Sequence, residues 1–453
     1  MCNGTIMDKL ISFSIPLMLS GILQLMFNAV DIVVVGRFSG SQALAAVGST
    51  TALINVFTNL FIGISLGANV LAARYYAAGK TKEMSETVHT AIALALVSGV
   101  AMAVIGVVFA RGALEIMGTP DDVIAKSTLY MRIYFCGMPF FMMYNYGAAI
   151  LRAVGDTKRP LIFLIVSGVI NAVLNLFLVI AFHLDVAGVG IATVISQLVS
   201  CILVLRCLHH TESSYQLHLA KLRIRSVYLK QIFEVGVPAG IQSTVINISN
   251  AMLQSSVNSF GSIAMAGYTA SNNIFGFLYV SVNSFTQACM SFTSQNYGVK
   301  KLKRMDRVLI DCMILSVVVT LILGSSVYIF GPELLHIYSN QADVIKYGME
   351  IFSYTTVTYF LCGLMDLFPG ALRGMGYSTV PMILLSSVRR SPDYLDLWTV
   401  PFTQITDFLV SVLSGILDCN NHHAGDLLLV CKEEDPQDDG GYGRVSFFEH
   451  IKI

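Results

Sequence analysis

The sequence predicts an all-α integral membrane protein built as two homologous six-helix bundles. Three observations carry that prediction. The chain of 453 residues is 55% hydrophobic and only 12% charged, about half the charge of a soluble domain, and its mean hydropathy is +0.69. Apolar runs of about 20 residues, the length that crosses a bilayer as a helix, recur between short polar loops. Motifs of the first half also return in the second at one fixed offset.

The predicted spans lie near residues 11–35, 48–73, 88–110, 127–150, 161–182, 187–208, 233–257, 265–295, 308–330 and 348–370. Polar punctuation separates the early ones: "GRFSGS", "AAGKTKE", "MGTPDD", "GDTKRP". Lys and Arg gather on one side of this pattern, from Lys9 through Lys80, Lys158 and the 206–230 segment to Lys300–Arg307. The other side holds few, such as Arg37, Arg111, Lys126 and Lys346. The rich side is expected to face the cytoplasm, which places the N-terminus inside a multi-pass protein of the inner (plasma) membrane. The start "MCNGTIMDKL" is polar and leads into a segment too long for a signal-peptide core, so no cleavable leader is expected.

The repeat offset is 221 residues, from "LRAVGDTKRP" at Leu151 to "LRGMGYSTVP" at Leu372. "GSQALAA" at Gly40 returns as "GSIAMAG" at Gly261, and "RYYAAGKTKEM" at Arg74 as "QNYGVKKLKRM" at Gln295. Pro16 answers Pro238, one residue out of step. Six helices per half leave both halves in the same membrane orientation, a parallel repeat. The expected organisation is an N-terminal lobe over 1–210, a basic cytoplasmic linker over 211–230, and a C-terminal lobe of four spans and a stub over 231–384. Paired bundles of this kind let secondary transporters alternate access around a site between or within them.

Several function classes are excluded. Formal net charge is zero, so no nucleic-acid footprint exists, and no Walker A, HExxH or zinc spacing occurs. "GISLG" at Gly63–Gly67 fits G-x-S-x-G, but a nucleophile elbow needs a strand and a sharp turn. In mid-helix this spacing serves small-xxx-small packing instead. The nine Cys lack metal spacing, and those in apolar runs (Cys136, Cys201, Cys289, Cys362) read as small packing residues. The chain is expected to be no enzyme and to need no cofactor.

Ionisable groups inside a bilayer are costly, so each is a functional candidate. Arg307–Asp311, Lys346–Glu350 and Lys230–Glu234 have the spacing of interfacial i,i+4 pairs. Asp31 lacks such a partner. Gln24, Asn28 and Asp31 share one helix face, and Arg37 points elsewhere. Asp31 is either a carboxylate snorkelling to the interface or a buried acid able to cycle a proton and, once ionised, to hold Na+ or an organic cation. Asn171 and Asn175 lie one turn apart on the fifth span, with Thr193 on the sixth; interhelical hydrogen bonding is their bland reading. The C-half counterpart of Asp31 is Met252 or Leu253, though Asn247, Asn250, Gln254 and Asn258 form a polar stripe there. Asp366, two turns before Arg373, is a pocket candidate or a cytoplasmic-end residue. Tyr144, Tyr146, Tyr279, Phe275, Met138 and Met142 fit an adaptable lining for flat cations or, more simply, lipid-facing packing.

"IPLMLSGILQLMFNAVDIVVVGRFSGSQALAAVG" (Ile15–Gly48), "LRAVGDTKRP" and "INAVLNLFLVI" resemble the multidrug and toxin extrusion family in order, spacing and topology, over about residues 1–384. The resemblance implies a twelve-helix antiporter that expels amphipathic organic cations in exchange for H+ or Na+. It supports Asp31 as the coupling acid and places Asn171, Asn175 and Thr193 in the same pocket. It also implies that Pro16, fifteen residues before Asp31, bends the first helix when the acid protonates; Pro238 is its repeat counterpart. The family often carries Asp where this chain has Asn175, which weakens a relay between two acids. The Glu that Na+-coupled members use in the seventh helix is absent here, which tilts coupling toward H+. The expected partners are small cationic substrates and the lipid bilayer, with the chain a monomer. A flippase for lipid-linked or polysaccharide precursors is the alternative, but such a cavity wants several Arg and only Arg132 lies deep in a span. The other alternative is an inactive product with a disrupted C-terminal lobe.

The pattern then breaks. By the repeat, the fifth and sixth spans should recur over about 382–403 and 408–429. Instead Arg389, Arg390, Pro392, Asp393 and Asp396 interrupt the first after "PMILLSSV". Roughly a quarter of the residues beyond Leu385 are charged against about a tenth before, which membrane depth does not tolerate. Residues 385–453 are read either as the product of a reading-frame slip near Leu384–Ser387, partly disordered, or as a divergent tail that replaces two helices.

Overall fold

The computed structural model describes residues 1–258 and 262–388, and those residues form helices and short connections without a strand. The expectation for 385–453 falls, beyond Val388, outside the described residues. Contacts divide the chain into two compact units, one essentially Asn3–Ile248 and the other from Ser249 onward.

In the first unit, α1 (Met7–Phe38) has Asp8 in its first turn and Arg37 in its last, each favourable to the helix dipole. Pro16 lies inside α1, where it cannot donate an i→i−4 bond, and Ser20 Oγ donates to the Pro16 carbonyl at 2.7 Å. α2 (Ser41–Ala77) and α3 (Thr81–Ile116) follow. The expected fourth span is broken into α4 (Asp121–Cys136) and α5 (Met138–Ala153) at Gly137, with Pro139 at the start of the second piece. α6 (Lys158–Leu176) runs into a π turn over Phe177–Ala181, and α7 (Asp185–His210) returns. α2 packs on α3, α4 and α5, α3 on α4 and α5, and α6 on α1 and α7. The first part of α8 (Ser226–Asn258) also belongs to this unit.

Small residues let α2 and α8 touch backbone to backbone. A Cβ on Gly63 would lie 2.3 Å from the Gly240 Cα, and one on Gly67 would lie 2.1 Å from the Ile232 carbonyl oxygen. "GISLG" is thus a packing seam in mid-helix. Beside it, half-buried Pro238 falls inside α8.

The second unit holds α9 (Ser262–Gly298), α10 (Leu302–Ile329), α11 (Gly331–His336), α12 (Ala342–Met375) and α13 (Thr379–Val388). α12 packs on α9 and α10 and bends by 53° between Thr356 and Thr358. The repeat is preserved down to single hydrogen bonds. α5 ends with Gly155 at φ 99°, Gly155 N–H donating to Arg152 O and Asp156 N–H to Leu151 O; α12 ends with Gly376 at φ 97°, Gly376 N–H donating to Arg373 O and Tyr377 N–H to Leu372 O. This left-handed stop favours glycine.

Among the described residues six helices are long and apolar enough to cross a membrane, seven if the bent α12 counts as one span. α8 and α9, expected as spans from their apolar runs near 233–257 and 265–295, are 33 and 37 residues long but fall short in hydropathy because Ser, Thr, Asn and Gln recur along them. Large apolar side chains stay exposed along α1, α3 and α6, among them Ile15, Val33, Val104, Phe109, Val169 and Val173, a surface suited to lipid.

Several local expectations change. Met138, Met142 and Tyr146 are fully buried in the core of the first unit, so they face neither lipid nor a pocket; Tyr144 is buried too, while Tyr279 is exposed. Cys201 and Cys289 are buried, but Cys136 and Cys362 are exposed: lying in an apolar run did not put them on an inward face. Lys230–Glu234 pairs at 3.9 Å, whereas Arg307–Asp311 and Lys346–Glu350 do not close to ion-pair distance, as expected for exposed pairs of little energetic worth.

Candidate functional site

The first unit brings four of the candidate residues together. Asn171 and Asn175 are spaced one turn apart, which puts both on the same face of α6, and both are buried. That face meets α1 and α7. Asn175 Nδ2 donates to Asp31 Oδ1 and also lies 3.3 Å from Asn171 Oδ1. Asn171 Nδ2 reaches Thr193 Oγ1 at 3.5 Å, and the Thr193 hydroxyl donates to the Val189 carbonyl at 2.9 Å. Asn175 thus donates to the carboxylate on one side, and on the other the donors run away from it, through Asn171 and Thr193 to the Val189 carbonyl.

Two features set Asp31 apart. No Lys or Arg forms an ion pair with it among the described residues, so its hydrogen bond comes from a neutral amide. Asn175 Oδ1 is buried with no hydrogen-bond partner among the described residues, an orphaned acceptor beside an acid. Such a group in a buried site calls for a functional explanation.

The helices are shaped around this cluster. The π turn over Phe177–Ala181 begins two residues after Asn175, and π turns inside helices often mark functional sites. His183 and Asp185 both have φ of 52°, a conformation side chains disfavour. There Asp185 pairs with Lys126 of α4 at 2.7 Å, which ties the start of α7 to α4.

Sequence reasoning missed Tyr130 and Tyr134 of α4, which lie in the electrostatic field of Asp31. Tyr130 is buried and their ring centroids are 6.2 Å apart. The available signal was their i,i+4 spacing, which puts two hydroxyls on one face of the fourth span.

Other candidates stand apart. Gln24 and Asn28 are exposed, and their side chains make no hydrogen bond to another described residue. Asn247 donates to the Ser243 carbonyl at 2.9 Å, and the side chains of Gln254 and Asn258 lie outside what is described. In the second unit half-buried Asp366 feels Arg373 of its own helix and Tyr279 of α9. Above it, Phe275 stacks on Tyr359 at 5.6 Å and meets Phe352 edge-on at 5.4 Å. Arg132 is exposed, its Nε donating to the Val107 carbonyl at 3.2 Å. No cluster of His, Cys, Asp and Glu fit for a metal exists among the described residues.

The MatE family matches the chain twice, over residues 16–177 and 238–388, so each copy begins at one of the two prolines. The "Probable multidrug resistance protein YoeA" of Bacillus subtilis is 29% identical over 379 residues, covering 82% of both chains. The "Multidrug export protein MepA" of Staphylococcus saprophyticus is 23% identical over 393 residues, 85% of this chain and 86% of that one. A solved structure described as the outward-facing conformation of a multidrug resistance MATE family transporter superposes with a TM-score of 0.80 at 20% identity, over 84% of this chain and 85% of that one.

Proposed function

The chain belongs to the MatE family, a family of membrane transporters and not of enzymes, and from that premise we propose that it is a secondary active multidrug efflux antiporter. It exchanges H+ or Na+ for amphipathic organic cations by alternating access. Its two lobes, residues 1–210 and 231–384, are joined by the 211–230 linker, with the N-terminus cytoplasmic in the plasma membrane.

The observation that carries the reading is Asp31, an acid within the membrane held by a neutral amide and by no fixed cation. A carboxylate tied to Arg or Lys would be neutralised permanently. Asp31 instead changes charge when a proton, a Na+ or a cationic substrate arrives, and these compete for one site. Asn171, Asn175 and Thr193 orient it. When Asp31 carries a proton, the free Asn175 Oδ1 is the acceptor for it after rotation of the amide. Pro16 leaves α1 short of a backbone bond below this site, a hinge for bending. Gln24, Asn28 and Asp366 are substrate-side contacts, and Pro238 is the hinge of the second lobe. The names of YoeA and MepA support drugs as the substrates and export as the direction. An Arg-lined flippase cavity is not favoured, since Arg132 is the one Arg expected deep in a span and its Nε is taken up by the Val107 carbonyl.

The test is ethidium efflux from cells carrying the chain, with pH and Na+ gradients varied separately, beside the Asp31→Asn variant at matched expression. Export by the parent chain and not by the variant is expected, with an inward H+ gradient sufficient to drive it. A parent chain that exports no better than Asp31→Asn overturns the reading.

A further inference from the structure

The segment 211–225, between α7 and α8, folds back onto the first turns of α3, and its principal anchor is a histidine. His89 is 3% exposed. Its Nδ1 lies 2.6 Å from the Ser85 carbonyl oxygen. A carbonyl cannot donate, so Nδ1 carries the hydrogen. The His218 backbone N–H donates to His89 Nε2 at 3.1 Å, so Nε2 must be a bare lone pair. These two bonds together specify the neutral imidazole in one tautomer. The His218 ring lies nearly parallel to that of His89, 13° apart in tilt, with centroids 6.2 Å apart.

The rest of the dock surrounds this bond. Leu217 is fully buried, and its carbonyl accepts from His209 Nδ1 at 2.9 Å. The Arg225 N–H donates to Thr90 Oγ1 at 3.3 Å. Arg223 and Arg225 both bond Glu86, which lies one turn before His89.

We propose that residues 211–225 form an acid-released latch, undocked from α3 when a proton binds the His89–His218 pair. A proton on His89 Nε2 turns an acceptor into a donor that faces the His218 N–H, and the buried bond is lost. Neither ring nitrogen of His89 bonds a carboxylate that could take up the new charge. Stacked beside it is His218, whose own ring lies in the field of Lys221 on the linker and His209 at the end of α7. On α3 itself, Glu86 is already engaged by two arginines, and Glu83 lies a further turn toward the helix start. His218 acts in the same direction. Burial, then Lys221, His89 and His209, hold its imidazole below the usual range. With its pKa lower docked than undocked, His218 favours the docked form at higher pH, and that preference fades as pH falls.

Amide hydrogen exchange on the purified full chain between pH 7.5 and 5.5, corrected for intrinsic rates, tests the latch. Protection across 213–225 should fall at least tenfold over that range while the 161–176 segment of α6 keeps its own. His89→Gln, which offers an acceptor that does not titrate, should flatten the profile. Nitrogen shifts of labelled histidine in the parent chain supply a check independent of any variant, and His89 should appear as the Nδ1–H tautomer at pH 7.5. Protection that does not change with pH, an undiminished pH response in His89→Gln, or an Nε2–H tautomer would each overturn the proposal. None of these readouts needs transport, so the latch can fail while the reading of Asp31 stands.

Discussion

The two halves share a backbone and differ in chemistry. Gly155 and Gly376 end equivalent helices with the same pair of hydrogen bonds. After α2 the Lys80 N–H returns to Tyr75 O, and after α9 the Lys301 N–H returns to Asn296 O. The left-handed residue in that turn is Gly79 in the first half and Lys300 in the second, at φ 68° and 56°. Duplication therefore preserved a turn even where the residue suited to it was lost. The polar groups were not preserved. Asp31 has no acidic counterpart at the repeat position in the second half, and the candidate acid there, Asp366, has a cation two turns on in its own helix. Architecture follows the repeat, and the proposed coupling acid sits on one side of it.

Four substitutions would break or sharpen that comparison. Asp31→Asn should have the largest effect, lowering ethidium efflux by about two orders of magnitude, or about 2.7 kcal/mol, at unchanged surface expression. Gly63→Ser comes next. The second half holds Ser284 at this place, buried and bonded to the Val280 carbonyl at 2.7 Å, yet a Cβ at 63 meets backbone. The variant should lose on the order of 2 kcal/mol, read as a lowered unfolding temperature in detergent. If serine is tolerated at 63, α2 and α8 do not pack backbone to backbone at this seam. Asp366→Asn should lower efflux only about threefold, roughly 0.7 kcal/mol, because its acid already has Arg373 for company. A loss equal to that of Asp31→Asn would show that coupling is shared between the halves. The smallest effect belongs to Lys300→Gly, which relieves a left-handed side chain and should stabilise by about 0.5 kcal/mol in the same melting assay.

Much of the site was legible because helical spacing is rigid. Asn171 and Asn175 had to share a face once α6 formed, and Asp31 stood out for want of a local partner. The same reasoning grouped Gln24 and Asn28 with Asp31, yet both are exposed. A face of a helix spans several neighbours, and spacing alone does not say which stretch of it another helix covers. Tyr130 and Tyr134 escaped notice because their value comes from proximity to a residue about a hundred positions earlier. The break at Gly137 was also invisible in hydropathy, since both sides of it are apolar.

The sequence by itself determined the membrane class, the helical repeat and the identity of the candidate acid, because hydropathy, period and the cost of a buried charge are local quantities. Only the tertiary structure decided that Asn175 serves Asp31 with its donor and leaves its oxygen free, that Met142 and Tyr146 belong to a core, and that His89 holds the linker. Each of those depends on which atoms of distant segments come within hydrogen-bond or contact distance, and one-dimensional spacing does not fix that.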